Sequence, residues 1–537
     1  MRTGETHNGK TVRATAYPPQ EETRMKKKRK ALLALLLATG LMSLPAASQA
    51  VDFKVKGTFD ITFETSNVAP RGVNKTDTFA AFQRWRLQMD AVASENLSGS
   101  VMITVGSGSN GISWGKGADG GAMGADGSSA LGVRHAYLDW IVPETDIKVR
   151  MGIQPILLPG FVTNWNAVYG QYCPAILTSV PLVSTGDTTV AASFYWARPY
   201  NDNSDLTKYG RNEQGYLDNI DVFALTLPVT GSNFKVSPWV QYAMIGKNGL
   251  RGMNPATGPR ESAFYAPRGG LMPILGSGLG YSATFEGANL VQSDRPYGDG
   301  IWAGVTSQFN WDPWELALEF TYGSVDMGKV KNYTQFNPGT AGRTFDLRRS
   351  GWYAAMRLDY KCDWGTPGVI AWYGPGDDSN PYNGSERLPQ FNTPWPVSPL
   401  GFGGGYFDLN TWKVLGHNPS GLAGVVAHLK DVSFIEDLRH TLKVGYYHGT
   451  NNKHMPRNAN MTKYPTKSAD GPMAYLTTTD YAWEASLSNT YAIYENLEMN
   501  VEGAYVNLHL DGDTWNGLES SQYRDNWRVS VTFRYKF

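Results

Sequence analysis

The sequence predicts an all-β protein: an antiparallel up-and-down β-barrel that crosses a membrane with about 16–18 strands. Three observations carry this. Segments of about ten residues alternate apolar with polar side chains, and the connections between them are alternately short and long. After residue 50 no segment approaches the roughly 18 uncharged apolar residues of a spanning helix. Composition agrees: charged residues are 18%, aromatics 12%, and there are 59 glycines, a profile of strands separated by polar Gly/Asn/Asp loops. A chain of 537 residues is otherwise divided into several soluble domains, a prior from which all-β barrels are exempt.

Residues 1–24 match neither a targeting segment nor a domain, so they read as an upstream extension, with Met25 the expected start. "MKKKRKALLALLLATGLMSLPAASQA", 25–50, has a basic stretch, an apolar run and small residues before a cut, which is a secretory signal peptide. A membrane anchor is the lesser reading, because Gly40 and Pro45 break the run. The barrel is then 51–537. The first 50 residues hold nine Lys/Arg and three Asp/Glu, so from Val51 onward the chain carries 39 basic and 45 acidic residues, a net charge of −6. A nucleic-acid partner calls for a basic domain, and that class loses ground.

The first strand is "VDFKVKGTFDITFE", where Val51, Phe53, Val55, Phe59, Ile61 and Phe63 alternate with polar residues. The same period of two predicts strands at 51–64, 79–93, 98–106, 133–142, 147–155, 175–183, 188–198, 218–228 and 234–245. In the second half it predicts 299–310, 314–325, 350–361, 367–374, 421–434, 439–449, 478–492, 497–508 and 525–537. Short turns fall at 94–96, 143–146, 184–187, 228–232, 311–313, 362–367, 435–439 and 494–496. Long polar connections fall at 107–130, 246–298, 376–418 and 450–476. A soluble β-sandwich does not segregate its loop lengths in this way.

Parity assigns the faces. Arg84 and Arg86 share one side of their strand with Asp90, and Trp85, Leu87 and Met89 share the other. A cation at the bilayer midplane costs about 2–4 kcal/mol, so the arginines point inward. The same argument turns inward Lys54, Lys56, Asp60 and Glu64, then Lys148 and Arg150, then Glu315 and Glu319, then Arg357 and Asp359, and finally Arg528 and Arg534. His135, Tyr137 and Asp139 are also taken as inward. A polar interior at this strand number is an aqueous channel. Closure brings Arg528, Arg534, Lys54, Lys56, Arg84 and Arg86 together, either as a cationic wall or as partners of Asp60, Asp90 and Glu502.

The connection "PILLPGFVTNWNAVYGQYCP", 155–174, has no charged residue and carries Phe161, Trp165, Tyr169 and Tyr172. It is the third long loop, and its apolarity predicts that it folds into the lumen and narrows it. "GPGDDSNPYNGSE" gathers Asp377, Asp378 and Glu386, a weak divalent-cation candidate whose residue types also serve ordinary turns. No other cofactor is expected. The two cysteines, Cys173 and Cys362, are too few for a disulfide framework. The sequence has no H-E-x-x-H, C-x-x-C or G-x-S-x-G, so no enzyme is predicted.

"FQRWRLQMDAVASENLSGSV" (82–101), "FYWARPYN" (194–201), "GDDSNPYNGSERLP" (376–389) and the Phe-ended last strand resemble the trimeric outer-membrane porins, most closely the homotrimeric porins of sulfate-reducing bacteria. The resemblance implies a homotrimer in the outer-membrane lipid of a Gram-negative bacterium. It also implies passive diffusion of small hydrophilic solutes and Phe537 as the signal read by the barrel-assembly machinery. Acidic residues commonly line the third loop of such porins and are absent from 155–174, so cation preference is not carried over. A sugar- or oligosaccharide-selective channel is the alternative, since aromatics line such paths, and a non-conducting adhesin is a third reading.

Overall fold

The computed structural model describes residues 51–68, 77–105, 112–114, 131–200, 219–246, 269–271, 290–291, 297–332, 344–391, 395–407, 413–416, 418–459, 475–515 and 524–537. The expected upstream extension (1–24) and signal peptide (25–50) lie outside these residues, as do most of 107–130 and 246–298 and the second half of 450–476.

Eighteen strands form the wall, every one at a place where the alternation predicts it. They are β1 (Asp52–Ser66), β2 (Thr78–Ser94), β3 (Leu97–Val105), β4 (Leu131–Ile141), β5 (Lys148–Leu157) and β6 (Gly170–Thr185). Next come β7 (Thr188–Tyr200), β8 (Ile220–Thr226), β9 (Phe234–Gly246), β10 (Tyr297–Trp311), β11 (Trp314–Asn332) and β12 (Thr344–Tyr360). The last are β13 (Thr366–Tyr373), β14 (Leu422–Ile435), β15 (Leu438–Gly449), β16 (Tyr481–Tyr494), β17 (Leu497–His509) and β18 (Asp525–Lys536). Two-residue pieces extend the ladder at Ile112–Ser113, Val229–Thr230 and Leu290–Val291.

Each strand pairs antiparallel with its sequence neighbour, and β18 pairs with β1, so the sheet has no edge. Closure lets every interior backbone polar group find a partner, the condition for crossing a bilayer with strands. Among the described residues no helix is long and apolar enough to cross a membrane.

The outer face is an apolar band between two aromatic belts. At the short-turn end Trp314 packs edge-on against Tyr360 at 4.8 Å with Trp311 exposed beside it in the ladder, and Tyr494 and Tyr535 are exposed at the same end of β16 and β18. At the long-loop end Trp352 lies 5.4 Å from Tyr373, and Tyr446 lies 4.6 Å from Trp483. Trp314 and Tyr322 bound β11's outer face. Eight residues of strand span about 27 Å, or about 20 Å along the membrane normal at the usual tilt, close to the apolar height of such barrels.

The hydrophobic core is inside the barrel, toward the long-loop end. Ala175, Ala197, Val222, Ala224, Trp239 and Ala243 face inward from β6–β9 and are buried. This corrects the expectation of a polar interior in part: along β6–β9 much of the inner face is apolar and buried.

Candidate functional site

The loop 158–169 lies within the lumen, and its contacts show how it is held there. Glu319 of β11 points inward, and its Oε1 accepts the backbone N–H groups of Phe161 (2.6 Å) and Val162 (2.8 Å). Its Oε2 accepts the Tyr353 hydroxyl at 3.1 Å. Arg357 donates from Nη1 to the Val162 carbonyl at 3.0 Å and from Nη2 to Glu315. The loop leaves the wall between β5 and β6 and is clamped at β11 and β12, so it crosses the interior. Tyr169 is fully buried, with its hydroxyl 3.2 Å from the Cys173 thiol. It anchors the loop, whereas Phe161 and Trp165 are partly exposed. Tyr172, expected in the loop, is instead a residue of β6, because the ladder with β5 runs on to Leu157 and Gly170. The Arg134 guanidinium lies over its ring at 4.2 Å.

A second, larger segment also folds inward. The connection 376–418, expected as a long polar connection, carries a strap at 395–407 that lies along the inner wall from β12 to β2. Glu484 of β16 accepts from Ser398 Oγ (2.5 Å), the N–H groups of Leu400 (2.8 Å) and Gly401 (3.1 Å), and the Tyr447 hydroxyl (2.9 Å). Glu502 of β17 accepts the N–H of Tyr406 at 3.0 Å, and the Tyr406 hydroxyl bonds Glu498. Phe407 lies under the Arg84 guanidinium, and Tyr406 under that of Arg534. Trp395 and Phe402 pack on Trp372, Tyr353 and Tyr447 as an aromatic cluster. The two infolded loops meet where the N–H of Phe391 bonds the Val168 carbonyl at 2.9 Å.

The sequence contained the signal for the strap. Residues 388–407 have no charge and include Phe391, Trp395, Phe402, Tyr406 and Phe407, the same property that marks 155–174. The polar "GDDSNPYNGSE" before it and the triple glycine within it hide that property.

The predicted inward residues all face the interior, at different depths. Asp60, Arg84, Glu319, Asp359 and Arg528 are buried, Asp359 among Arg357, His428 and Lys430 of the wall, and Arg86 and Arg534 are partly buried. Lys54 and Lys56 are water-exposed, Lys148 is too, and Asp90, Arg150, Glu315 and Arg357 lie between these extremes. A continuous cationic wall at the closure does not form. Asp60 accepts from Arg84 (2.9 Å) and Arg534 (2.6 Å), Arg528 pairs with Glu502 at 2.8 Å, and Lys56 lies 3.5 Å from Asp90. The direct cross-strand registers Asp60↔Arg84 and Asp60↔Arg534 make this pairing geometrically immediate.

At the cation candidate, Asp377 accepts the Ser385 hydroxyl (2.5 Å) and the Tyr475 hydroxyl (2.8 Å). Asp378 accepts the Asn380 N–H and the Asn383 amide, and Glu386 accepts the Asp378 N–H. Burial holds the Glu386 carboxyl above its usual value, and the charges of Asp378 and Asp377 push the same way. These carboxylates are occupied in shaping the loop, and among the described residues no three His, Cys, Asp or Glu side chains converge on one point. Both cysteines are free thiols.

Neither a protein-family model nor a curated protein matches the chain. The chain is similar to several solved structures. OccAB3 of Acinetobacter baumannii is 10% identical, with TM-score 0.45, over 90% of this chain and 100% of that one. A BenF-like porin from Pseudomonas fluorescens Pf-5 is 8% identical, with TM-score 0.44, over 90% and 99%. Pseudomonas aeruginosa OpdK, solved with vanillate, is 9% identical, with TM-score 0.42, over 90% and 98%. At such identity the solutes of those proteins are not transferred to this one.

Proposed function

We propose that this chain is an outer-membrane porin of a Gram-negative bacterium, a water-filled channel through which small hydrophilic solutes and ions diffuse passively. The observation that carries the reading is the closed eighteen-strand wall with an apolar belt outside and charged, water-exposed side chains inside its short-turn half. Among the described residues no inward set is assembled for covalent chemistry, and an enzyme forms no part of the reading. The second reading is a substrate-selective channel. Two apolar loops narrowing one lumen, with aromatic side chains along both, favour it.

Purified protein in a planar bilayer should give discrete conductance steps. An inert insertion, with folded barrel but no steps, overturns the porin reading in favour of a structural barrel or adhesin. Saturable block by an oligosaccharide or another solute class would identify the selective channel.

The homotrimer and recognition by the barrel-assembly machinery remain proposals that the family resemblance supports. Steps occurring in threes fit the trimer. For Phe537 the geometry adds a reason: Gly57 and Phe537 exchange two backbone hydrogen bonds, of 2.8 and 3.1 Å. The Phe537 ring also sits where a side chain on Gly57 would project. Deleting Phe537 should lower the yield of membrane-inserted barrel while leaving the conductance of the inserted fraction unchanged. Normal yield would count against the assembly role.

A further inference from the structure

The tip of the β5–β6 hairpin is detached from the wall. The β5 ladder with β4 stops at Ile153↔Ala136 and the β6 ladder with β7 starts at Ala175↔Ala197, yet β5 and β6 stay paired with each other up to Leu157↔Gly170. Side chains alternate between the two faces of this tip. On one face Gln154, Ile156 and Cys173 are buried, and beyond it Tyr169 packs on Tyr195 of β7 and on Phe391. The tip is thus folded inward over the neighbouring wall. Its other face carries Pro155, Leu157 and Tyr172, of which Leu157 is 49% and Tyr172 40% exposed. Tyr172 reaches across to β4, where the Arg134 guanidinium lies 4.2 Å from the centre of its ring and the His135 ring is parallel to it at 6.2 Å.

Arg134 sits at a bulge of β4, between the residues that pair with Met102 and Ile103. Among the described residues it makes no hydrogen bond and no ion pair, and the Tyr172 ring is its support. A guanidinium stacked through its face keeps its N–H edge for an acceptor, in the fork that matches a carboxylate. The charges near it are positive but for one. Arg86 lies within electrostatic reach of Arg84, Arg134 and Asp60, and Arg84 within reach of Arg134 and Arg534. Asp60 is fully buried and already accepts from Arg84 and Arg534. The acids of the short turns are remote. Glu95 follows Arg86 by nine residues and Glu144 follows Arg134 by ten, about 30 Å of strand against a Debye length of about 8 Å.

We infer that the hairpin tip and the facing wall form a solute-binding site for organic carboxylates with an apolar body. Arg134, with Arg86 beside it, takes the carboxylate, and Leu157 and Tyr172 take the carbon. The inference rests on the porin reading and names a ligand class for that lumen. Because 155–174 carries no charge, the tip neither cancels the field of the arginines nor repels the head group. A small anion uses the guanidinium alone and a neutral ring uses the tip alone, so a ligand with both parts is held more tightly than either.

The test is block of the open channel. Full-length protein is held in a planar bilayer in KCl, and cyclohexanecarboxylate, acetate or cyclohexanecarboxamide is added. Cyclohexanecarboxylate should reduce the current saturably, with a half-blocking concentration about tenfold or more below that of acetate, which lacks the ring, and of the amide, which lacks the charge. Arg134→Gln should raise that concentration by about tenfold, the loss of one bidentate charged contact. Arg134→Lys should raise it by less, since charge is kept and the fork is lost, and Tyr172→Leu should raise it because the guanidinium loses its support. No conductance at all overturns the porin reading and this inference with it. A conducting channel that cyclohexanecarboxylate leaves unchanged, or blocks no better than acetate or the amide does, overturns the site alone. An Arg134→Gln channel blocked like the wild type does the same. If Arg134→Gln does not insert, Arg134→Lys is read in its place, and an unaltered half-blocking concentration sinks the inference.

Discussion

Replacing Glu484 with alanine should release the 395–407 strap and raise single-channel conductance, with the barrel intact. The carboxylate is nearly inaccessible and is the common acceptor for Ser398 Oγ, Leu400 N–H, Gly401 N–H and Tyr447 Oη. Removing it leaves four buried donors to find other partners, and breaking a buried charged cluster from one side costs about 3–5 kcal/mol. That cost falls on the strap. The ladders of β16 with β15 and β17 are backbone bonds and do not depend on this side chain. The strap's other hydrogen bonds to the wall are spread over separate side chains: Lys443 Nζ to the Val397 carbonyl at 3.0 Å, Arg528 Nη2 to the Pro399 carbonyl at 3.5 Å, Glu502 to the Tyr406 N–H, and the Tyr406 hydroxyl to Glu498. The expected record is a larger and noisier open level, with wild-type heat-modifiable migration of the folded barrel. An unaltered open level would mean that the strap does not occupy the conducting path.

The second large effect is at Asp60. It is fully buried on β1 and bonded on one side to β2 through Arg84 and on the other to β18 through Arg534. Asp60→Ala therefore leaves two guanidinium groups without the carboxylate they share, at the one place where the sheet closes on itself. A loss of about 3–5 kcal/mol is expected for uncovering buried charge. It should appear as a lower urea or temperature midpoint for conversion of the folded band. Lys54→Gln is the control, since Lys54 is well exposed and its nearest carboxylate, Asp52, is 3.8 Å away; exposed pairs contribute under about 1 kcal/mol. Equal midpoints for the two variants would show that the seam is held by its backbone ladder alone.

The strands were legible because a period of two has one energetically acceptable register in a bilayer. Slipping "FQRWRLQMDA" by one residue places Arg84 and Arg86 in lipid, and the observed faces follow that constraint. The infolding of 158–169 was legible because twenty residues without charge have no reason to stay in bulk water. The strap carried the same information inside a longer connection, and its glycines and acidic preface concealed it. Other features cannot be read along one dimension. Glu319, Glu484 and Glu502 look like any inward acid until a loop is found to place consecutive N–H groups on Glu319 and Glu484.

The seam also bears on the order in which the molecule forms. Seventeen of its eighteen strand pairings join neighbours along the chain, while the last joins β18 to β1, bringing Thr62 and Thr532 to hydrogen-bond distance across a separation of 470 residues. Closing a chain segment that long costs about 5 kcal/mol of configurational entropy. A single contact such as Thr62 to Thr532 does not offset this, whereas a fully grown sheet brings its own ends together. Growth hairpin by hairpin, with the final pairing last and rate-limiting, is the kinetic consequence. Substitutions at Asp60, Arg534 and Phe537 should therefore slow the appearance of folded barrel, while substitutions in the turns should act earlier.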